Sequence, residues 1–344
     1  MNYKKTIMYS EISEQPQILQ TMPDKLRATL DKIAISCKKK KPKYIVTASR
    51  GSSSNAIAYF KYLSEIYVGL PSTSVYPSVY TIYESRMQLK DSICIGVSQS
   101  GKAMDAIRVL EATRKAGGIT IAITNHEDSP MAKAAEFHLY LGAGLEKSVA
   151  ATKTFTAQMY ALFLLAKTLS SDKLKSFDVS SGIQKVIDLN SDIDKLAVSQ
   201  KTLNHAFVLG RSFCYSAALE SGLKLQETTY TKAQSFASSD FHHGPFAMID
   251  NTSTVFLIMP KSKVFKDLLE LKEKSELQSA KTIVVTDCDK TKGTIGTLKI
   301  PSGDDYSTPF YAATAMQLFA NSLSVAKELS PDTPRGLNKV TITM

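Results

Sequence analysis

The feature that most constrains this chain is a series of strand-to-helix breaks that occurs twice at nearly one spacing. Arg50 and Arg211 lie 161 residues apart, Ser100 and Ser262 162, and Thr124 and Thr286 162. At each break an apolar, β-branched run stops at a turn and helical spacing resumes. A duplicated unit of about 160 residues is the simplest account. The alternation of such strands with helical patterns predicts α/β architecture around a parallel sheet.

In the first half the expected strands are Tyr44–Ala48, the runs around Thr73–Tyr76 and Ile93–Val97, Ile119–Thr124 and Phe137–Leu141. Helices are expected from Pro23 to about Lys41, after the turn Ser49–Asn55, from Ala103 to Ala116, after the Ser129-Pro130 cap, and from Thr152 to Leu169. In the second half, Thr202–Leu209 leads through Gly210-Arg211-Ser212 into a helix over Ala217–Glu227. Val255–Met259 leads into Pro260-Lys261-Ser262, and Thr282–Thr286 into Asp287. The polar stretch Ser170–Ser191 reads as a boundary. The expected organisation is an N-terminal helical segment (1–43), a first domain (44–175), a second domain (192–330) and a tail (331–344).

Composition narrows the setting. With 43% apolar and 22% charged residues the chain reads as an ordinary globular protein, and no apolar run reaches the length of a membrane span. The start, Met1-Asn2-Tyr3-Lys4-Lys5, leads into polar residues and not an apolar signal segment. Cys37, Cys94, Cys214 and Cys288 are scattered, with no C-x-x-C pair and no His at ligand spacing, so no metal or cofactor is expected. A reducing cytoplasm is the expected location. The net charge of +10 suits an anionic partner, but the densest basic run, Lys38-Lys39-Lys40-Lys41-Pro42-Lys43, reads as a solvated helix end stopped by proline. It lacks the aromatic and arginine interleaving of a nucleic-acid surface.

The two halves differ at their turns. The first carries Arg50-Gly51-Ser52-Ser53-Ser54 and Ser98-Gln99-Ser100-Gly101, where hydroxyls and backbone N–H groups can converge on an anion at the carboxyl ends of strands. Ser and Gly also cap helices with no ligand bound, but two such turns after buried strands favour a phosphate. The second half has Arg211-Ser212-Phe213 and Pro260-Lys261-Ser262 instead, so one phosphate site per chain is expected. Neither G-x-G-x-x-G nor G-x-x-x-x-G-K-[ST] is present, which favours a phosphate monoester such as a sugar phosphate over a nucleotide.

Six stretches extend this reading: "SRGSS", "VSQSG", "SVAATKTFTAQ" (148–158), "LKLQE" (223–227), "FHHGPFAMID" (241–250) and "DTPRGLNKVT". In this order they resemble the sugar-isomerase-domain family over nearly the whole chain. The likeness is strongest to the isomerase half of glutamine:fructose-6-phosphate aminotransferase and to stand-alone glucosamine-6-phosphate deaminase/isomerases. The resemblance implies two tandem domains, each a three-layer αβα sandwich with a flavodoxin-like parallel sheet, and a homodimer. The first strand begins at Tyr44, leaving too little chain ahead of it for a glutaminase domain, so free ammonia or another amine is the expected co-reactant.

The resemblance also assigns roles. Gly51, Ser52, Ser53, Ser98, Gln99 and Ser100 match phosphate contacts, and Val149 and Ala151 match residues that touch the sugar. Glu227 matches the acid/base that moves a proton between C1 and C2 of the open-chain sugar, with Lys224 beside it; spacing alone reads as a helical ion pair. His243, ahead of Gly244-Pro245, matches a ring-opening histidine that reaches a neighbouring subunit's site in aminotransferase relatives, although a lone loop histidine is ordinarily solvated. Lys339, in what otherwise looks like a basic terminus, matches an amine that forms a Schiff base with a keto-sugar. Ala103 stands where relatives often carry a phosphate-contacting Thr, and Gln234 replaces a carboxylate common in glucosamine-type sequences. The implied activity is conversion of glucosamine-6-phosphate to fructose-6-phosphate and ammonia. The alternatives are a fructosamine-phosphate deglycase and a sugar-phosphate sensor, the latter disfavoured by the joint presence of Lys224, Glu227, His243 and Lys339.

Overall fold

The computed structural model describes residues 2–76, 78–171 and 173–339. The N-terminal stretch forms α1 (Ile7–Ser13) and α2 (Gln15–Lys40). Then follow β1 (Tyr44–Ala48), α3 (Gly51–Leu63), β2 (Ser72–Ser74), α4 (Ser78–Thr81), β3 (Ser92–Ser98) and α5 (Met104–Lys115). This half ends with β4 (Ile119–Thr124), α6 (Pro130–Ala134), β5 (Phe137–Tyr140) and α7 (Lys153–Leu169). After α8 (Val179–Asp188) and α9 (Asn190–Ser199) come β6 (His205–Gly210), α10 (Cys214–Thr229), β7 (Lys232–Ala237) and α11 (Ser238–Phe241). The chain continues through β8 (Thr254–Ile258), α12 (Phe265–Leu277), β9 (Lys281–Thr286), β10 (Gly296–Lys299) and α13 (Thr308–Ala326).

The chain divides into two compact units. The cradle unit comprises Gln17–Glu146 and Lys153–Phe177; the helix-pair unit comprises residues up to Pro16, Lys147–Thr152 and Asp178–Lys339. Each holds one five-stranded, all-parallel sheet, ordered β2-β1-β3-β4-β5 in one and β7-β6-β8-β9-β10 in the other. Both are the doubly wound order 2-1-3-4-5. Helices cover both faces, so the central strands read as unbroken apolar runs: every residue of β3, β4 and β8 is buried. In the cradle unit, Ala106, Val109 and Leu110 of α5 pack on Val46 and Cys94 of the sheet, while α3 and α7 pack together.

Inheritance from one ancestral unit is visible beyond strand order. Arg50 Nε donates to Asp105 Oδ2 at 2.8 Å, and Arg211 meets Asp267 at 2.5 Å. The two arginines are 161 residues apart and the two aspartates 162. In both copies the residue after the arginine is left-handed, with φ of 54° at Gly51 and 56° at Ser212. The second copy has therefore kept the turn's backbone while losing the glycine that made it easy.

One expectation is corrected. The second helix starts at Gln15 and runs through Pro23, where a helix start was expected. Leu19, Met22, Leu26, Leu30 and Ile33 form one buried stripe across the proline, and this burial outweighs the bond the proline nitrogen cannot donate. The polar stretch Ser170–Ser191 holds the division between the units, after Phe177, and also contains α8, because Val179, Ile183 and Val186 share a face buried beside α13. Among the described residues no helix is long and apolar enough to cross a membrane.

A serine held left-handed is strained where glycine is not. Ser212→Gly should therefore stabilise the protein by about 0.5–1 kcal/mol, read from the urea midpoint. An unchanged or lower midpoint would mean that the serine side chain compensates for its backbone.

Candidate functional site

In the cradle unit, β1 and β3 are neighbours, with Ala48 opposite Gly96, and lie where the strand order reverses. Ligands of doubly wound sheets bind in the crevice at that point, beyond the carboxyl ends. The turn after β1 opens α3 with Gly51, Ser52 and Ser53, and the turn after β3 comprises Ser98, Gln99, Ser100 and Gly101. Gly51, Ser52 and Ser53 lie in the first turn of α3, whose N–H groups find no partner within the helix and attract negative charge. Ser53 and Ser98 are buried, while Ser52, Gln99 and Ser100 are half-buried.

The second turn is held rigidly. Ser98 Oγ accepts from Gly101 N at 3.1 Å, and the carbonyl of Gln99 accepts from Asn125 N at 3.1 Å. Gly101 has φ of 64°, and a Cβ there would lie 2.3 Å from Ser129 Oγ, so only glycine fits. The Arg50–Asp105 ion pair joins the first turn to the first residues of α5. Ala103 is the N-cap of α5 and makes no side-chain cap bond, so this turn has no hydroxyl at that position.

In the helix-pair unit, α10 carries a second cluster. Lys224 is fully buried, with Nζ 2.5 Å from Glu227 Oε2 and 3.2 Å from Glu220 Oε1. Burial alone would lower the ammonium's pKa, but the Glu220 and Glu227 carboxylates outweigh it and hold it above the ordinary lysine value. Glu220 is 1% exposed and Glu227 20%, so Glu227 is the carboxylate of the pair with an open side. Tyr230, left-handed at φ of 52°, ends the helix one turn later.

Lys339 lies elsewhere in the same unit. Its Nζ donates to the carbonyl of Ser148 at 2.7 Å, in the loop 147–152 that also holds the half-buried Val149 and Ala151. The tail before it is fastened at several points. Val149 N donates to Asp332 O at 3.2 Å, Arg335 N to Tyr230 Oη at 2.8 Å, and the Arg335 guanidinium sits 4.2 Å from the Tyr230 ring centroid. The tail thus runs from the loop of Val149 to the end of the helix that bears Glu227.

His243 is exposed, and its backbone N–H donates to Asp240 O at 3.0 Å. Among the described residues no side-chain bond links it to Lys224, Glu227 or Lys339. Four functional candidates were missed by sequence reasoning: Glu220, Glu11, Asp332 and the Tyr230–Arg335 contact. Glu220 was legible, since Glu220, Lys224 and Glu227 share one helical face at i, i+4 and i+7. Glu11 was not, because its carboxylate meets Lys147, 136 residues away.

Comparison with known proteins follows this division. A SIS domain model matches residues 39–168 and again 201–327. Glutamine–fructose-6-phosphate aminotransferase [isomerizing] of Aquifex aeolicus is 31% identical over 99% of this chain and 58% of its own length. The Methanosarcina acetivorans protein of the same name is 32% identical over 84% of this chain and 49% of its own. The chain thus spans about half the length of these curated relatives. The C-terminal domain of glucosamine-fructose-6-phosphate aminotransferase from Francisella tularensis superposes with TM-score 0.85 at 23% identity, covering 96% of this chain and 98% of that one. Tagatose-6-phosphate ketose/aldose isomerase from Escherichia coli gives 0.83 at 19% identity, over 98% and 97%. Glucosamine-6-phosphate deaminase from Thermotoga maritima gives 0.76 at 18%, over 98% and 100%. At these identities the structural likeness is one of fold.

The charge arrangement on α10 has a direct consequence for stability. Lys224→Met removes the ammonium held between two carboxylates, one of them buried, and should destabilise by about 3–5 kcal/mol in urea unfolding. Glu227→Gln leaves the Lys224–Glu220 pair intact and should cost about 1 kcal/mol or less. Equal losses in the two variants would mean that the ammonium is not held between the carboxylates.

Proposed function

This chain belongs to the SIS domain family, and we propose on that basis that it is a phosphosugar isomerase acting as an amino-sugar-phosphate deaminase. Its substrate is glucosamine-6-phosphate, which with water becomes fructose-6-phosphate and ammonia. The observation that carries this reading is the Glu220–Lys224–Glu227 cluster. A sensor needs a phosphate cradle, but it has no use for a fully buried ammonium that keeps one partly open carboxylate in a fixed place. The names of the relatives, an isomerizing aminotransferase and a structurally similar glucosamine-6-phosphate deaminase, agree with this substrate class.

The turns at Gly51–Ser53 and Ser98–Ser100 hold the phosphate through hydroxyls and helix N-terminal N–H groups. After ring opening, for which His243 is the candidate, the Glu227 carboxylate takes the proton from C2 and returns it at C1. The Lys224 ammonium orients Glu227 and offsets negative charge on the enediolate-like intermediate. The C2 imine that results adds water and releases ammonia, leaving the C2 ketone. Val149 and Ala151 line the sugar, and Lys339 presents an amine to the ketose. His243, exposed on its loop, serves the site of a neighbouring copy in a homodimer.

The test is release of ammonia and fructose-6-phosphate from glucosamine-6-phosphate. Glu227→Gln should lower kcat by about 100-fold or more while sugar-phosphate affinity stays within a few-fold, since the carboxylate acts on the transferred proton. Turnover at the wild-type rate would remove Glu227 from the mechanism. Wild-type protein that binds the sugar phosphate, releases no ammonia and cleaves a fructosamine phosphate would replace the deaminase with a deglycase. For the cradle, Ser100→Ala should raise KM by more than it lowers kcat, and the reverse pattern would count against Ser100 as a phosphate contact.

A further inference from the structure

Glu11 is a buried carboxylate, 3% exposed, that the chemistry above does not use. It lies on α1 and accepts the backbone N–H groups of Lys147 and Ser148, the latter at 3.4 Å and 3.3 Å to its two oxygens. A carboxylate that receives two consecutive amides fixes the peptide between them, with charge-assisted bonds stronger than neutral ones. The carbonyl of the same Ser148 accepts from Lys339 Nζ at 2.7 Å.

The connection closes on itself. Seven residues before Lys339, the Asp332 carboxylate accepts from Ile7 N at 2.9 Å and Met8 N at 2.7 Å, two first-turn donors of α1. The Asp332 carbonyl accepts from Val149 N at 3.2 Å. Helix α1, the loop 147–149 and the tail are therefore joined in one ring of hydrogen bonds inside a single unit. Two acidic side chains, Glu11 and Asp332, supply the acceptors for four of its backbone amides.

We propose that Glu11 is a positioning residue for the Lys339 amine. By fixing the Ser148 peptide, Glu11 holds the carbonyl that aims Nζ, and Asp332 fastens the tail that carries it. The proposal rests on the reading of Lys339 as the amine that meets a ketose phosphate. In that step the unprotonated Nζ adds to the C2 carbonyl of fructose-6-phosphate and the carbinolamine loses water, leaving a C2=N imine. Borohydride then delivers hydride to C2, leaving a permanent secondary amine.

The full-length wild type, Glu11→Leu, Glu11→Gln and Asp332→Ala are incubated with fructose-6-phosphate and sodium borohydride, and the adduct on Lys339 is quantified by mass spectrometry. In parallel, trypsin cleavage after Arg335 and Lys339 reports how firmly the tail is held. The expected result is a loss of adduct of about tenfold or more in Glu11→Leu, with substantial recovery in Glu11→Gln, whose amide oxygen can still accept. Tail cleavage should rise in Glu11→Leu and Asp332→Ala. Wild-type trapping and cleavage in a folded Glu11→Leu protein would overturn the proposal. If Glu11→Leu does not fold, Asp332→Ala, which removes both side-chain acceptors, breaks the same ring from the other side and is judged by the same two readings. If the wild type itself forms no adduct, the Schiff-base role of Lys339 fails. Tail cleavage then decides alone: faster cleavage in the variants sustains the positioning role, and unchanged cleavage ends it.

Discussion

A lysine with no exposure to water keeps its charge only where carboxylates face it, and on α10 Lys224 has two. That requirement fixes much else. Glu220, Lys224 and Glu227 must share one helical face, which commits α10 to unbroken helix as far as its last turn. The left-handed Tyr230 then ends the helix and offers its hydroxyl and ring to Arg335, so the tail is tied to the end of the helix that bears Glu227. Buried counter-charges of this kind add little net stability, but removing one partner is expensive. The arrangement suits a group whose charge and place must not vary while a neighbouring carboxylate gains and loses a proton.

The duplication shows where the two copies of the unit diverged. Both copies keep the strand order, the arginine after the first strand, its aspartate partner and the left-handed residue between them. Only the cradle unit has hydroxyls and glycine in both turns, while the helix-pair unit has Lys224 buried between Glu220 and Glu227. Gly51 and Ser212 share a left-handed φ directly after the arginine, although α3 starts at Gly51 and α10 only at Cys214.

What the sequence disclosed, and what it hid, follows from the range of the interactions. Strands bounded by Ser/Gly turns, and the Lys224–Glu227 spacing, are local patterns with periods of 2 or 3.6 residues, and they were legible. The helix start expected at Pro23 failed because a buried stripe spanning Leu19 to Ile33 overrides local propensity. Helix α8 inside the stretch Ser170–Ser191 was hidden, because among its many serines and lysines only Val179, Ile183 and Val186 mark a buried face. Glu11 and Asp332 left no local trace, because their partners are 136 or more residues away in the chain. The SIS resemblance supplied roles for His243 and Lys339 that neither residue's neighbours would have suggested.

The central claim is that Glu227 moves a proton at C1 and C2 of an open-chain sugar phosphate. The most direct measurement is proton NMR of fructose-6-phosphate incubated with the protein in heavy water. The account predicts that the wild type exchanges one C1 hydrogen for deuterium and that Glu227→Gln does not. Equal exchange by both proteins, or none by a wild type that binds the sugar phosphate, would contradict it.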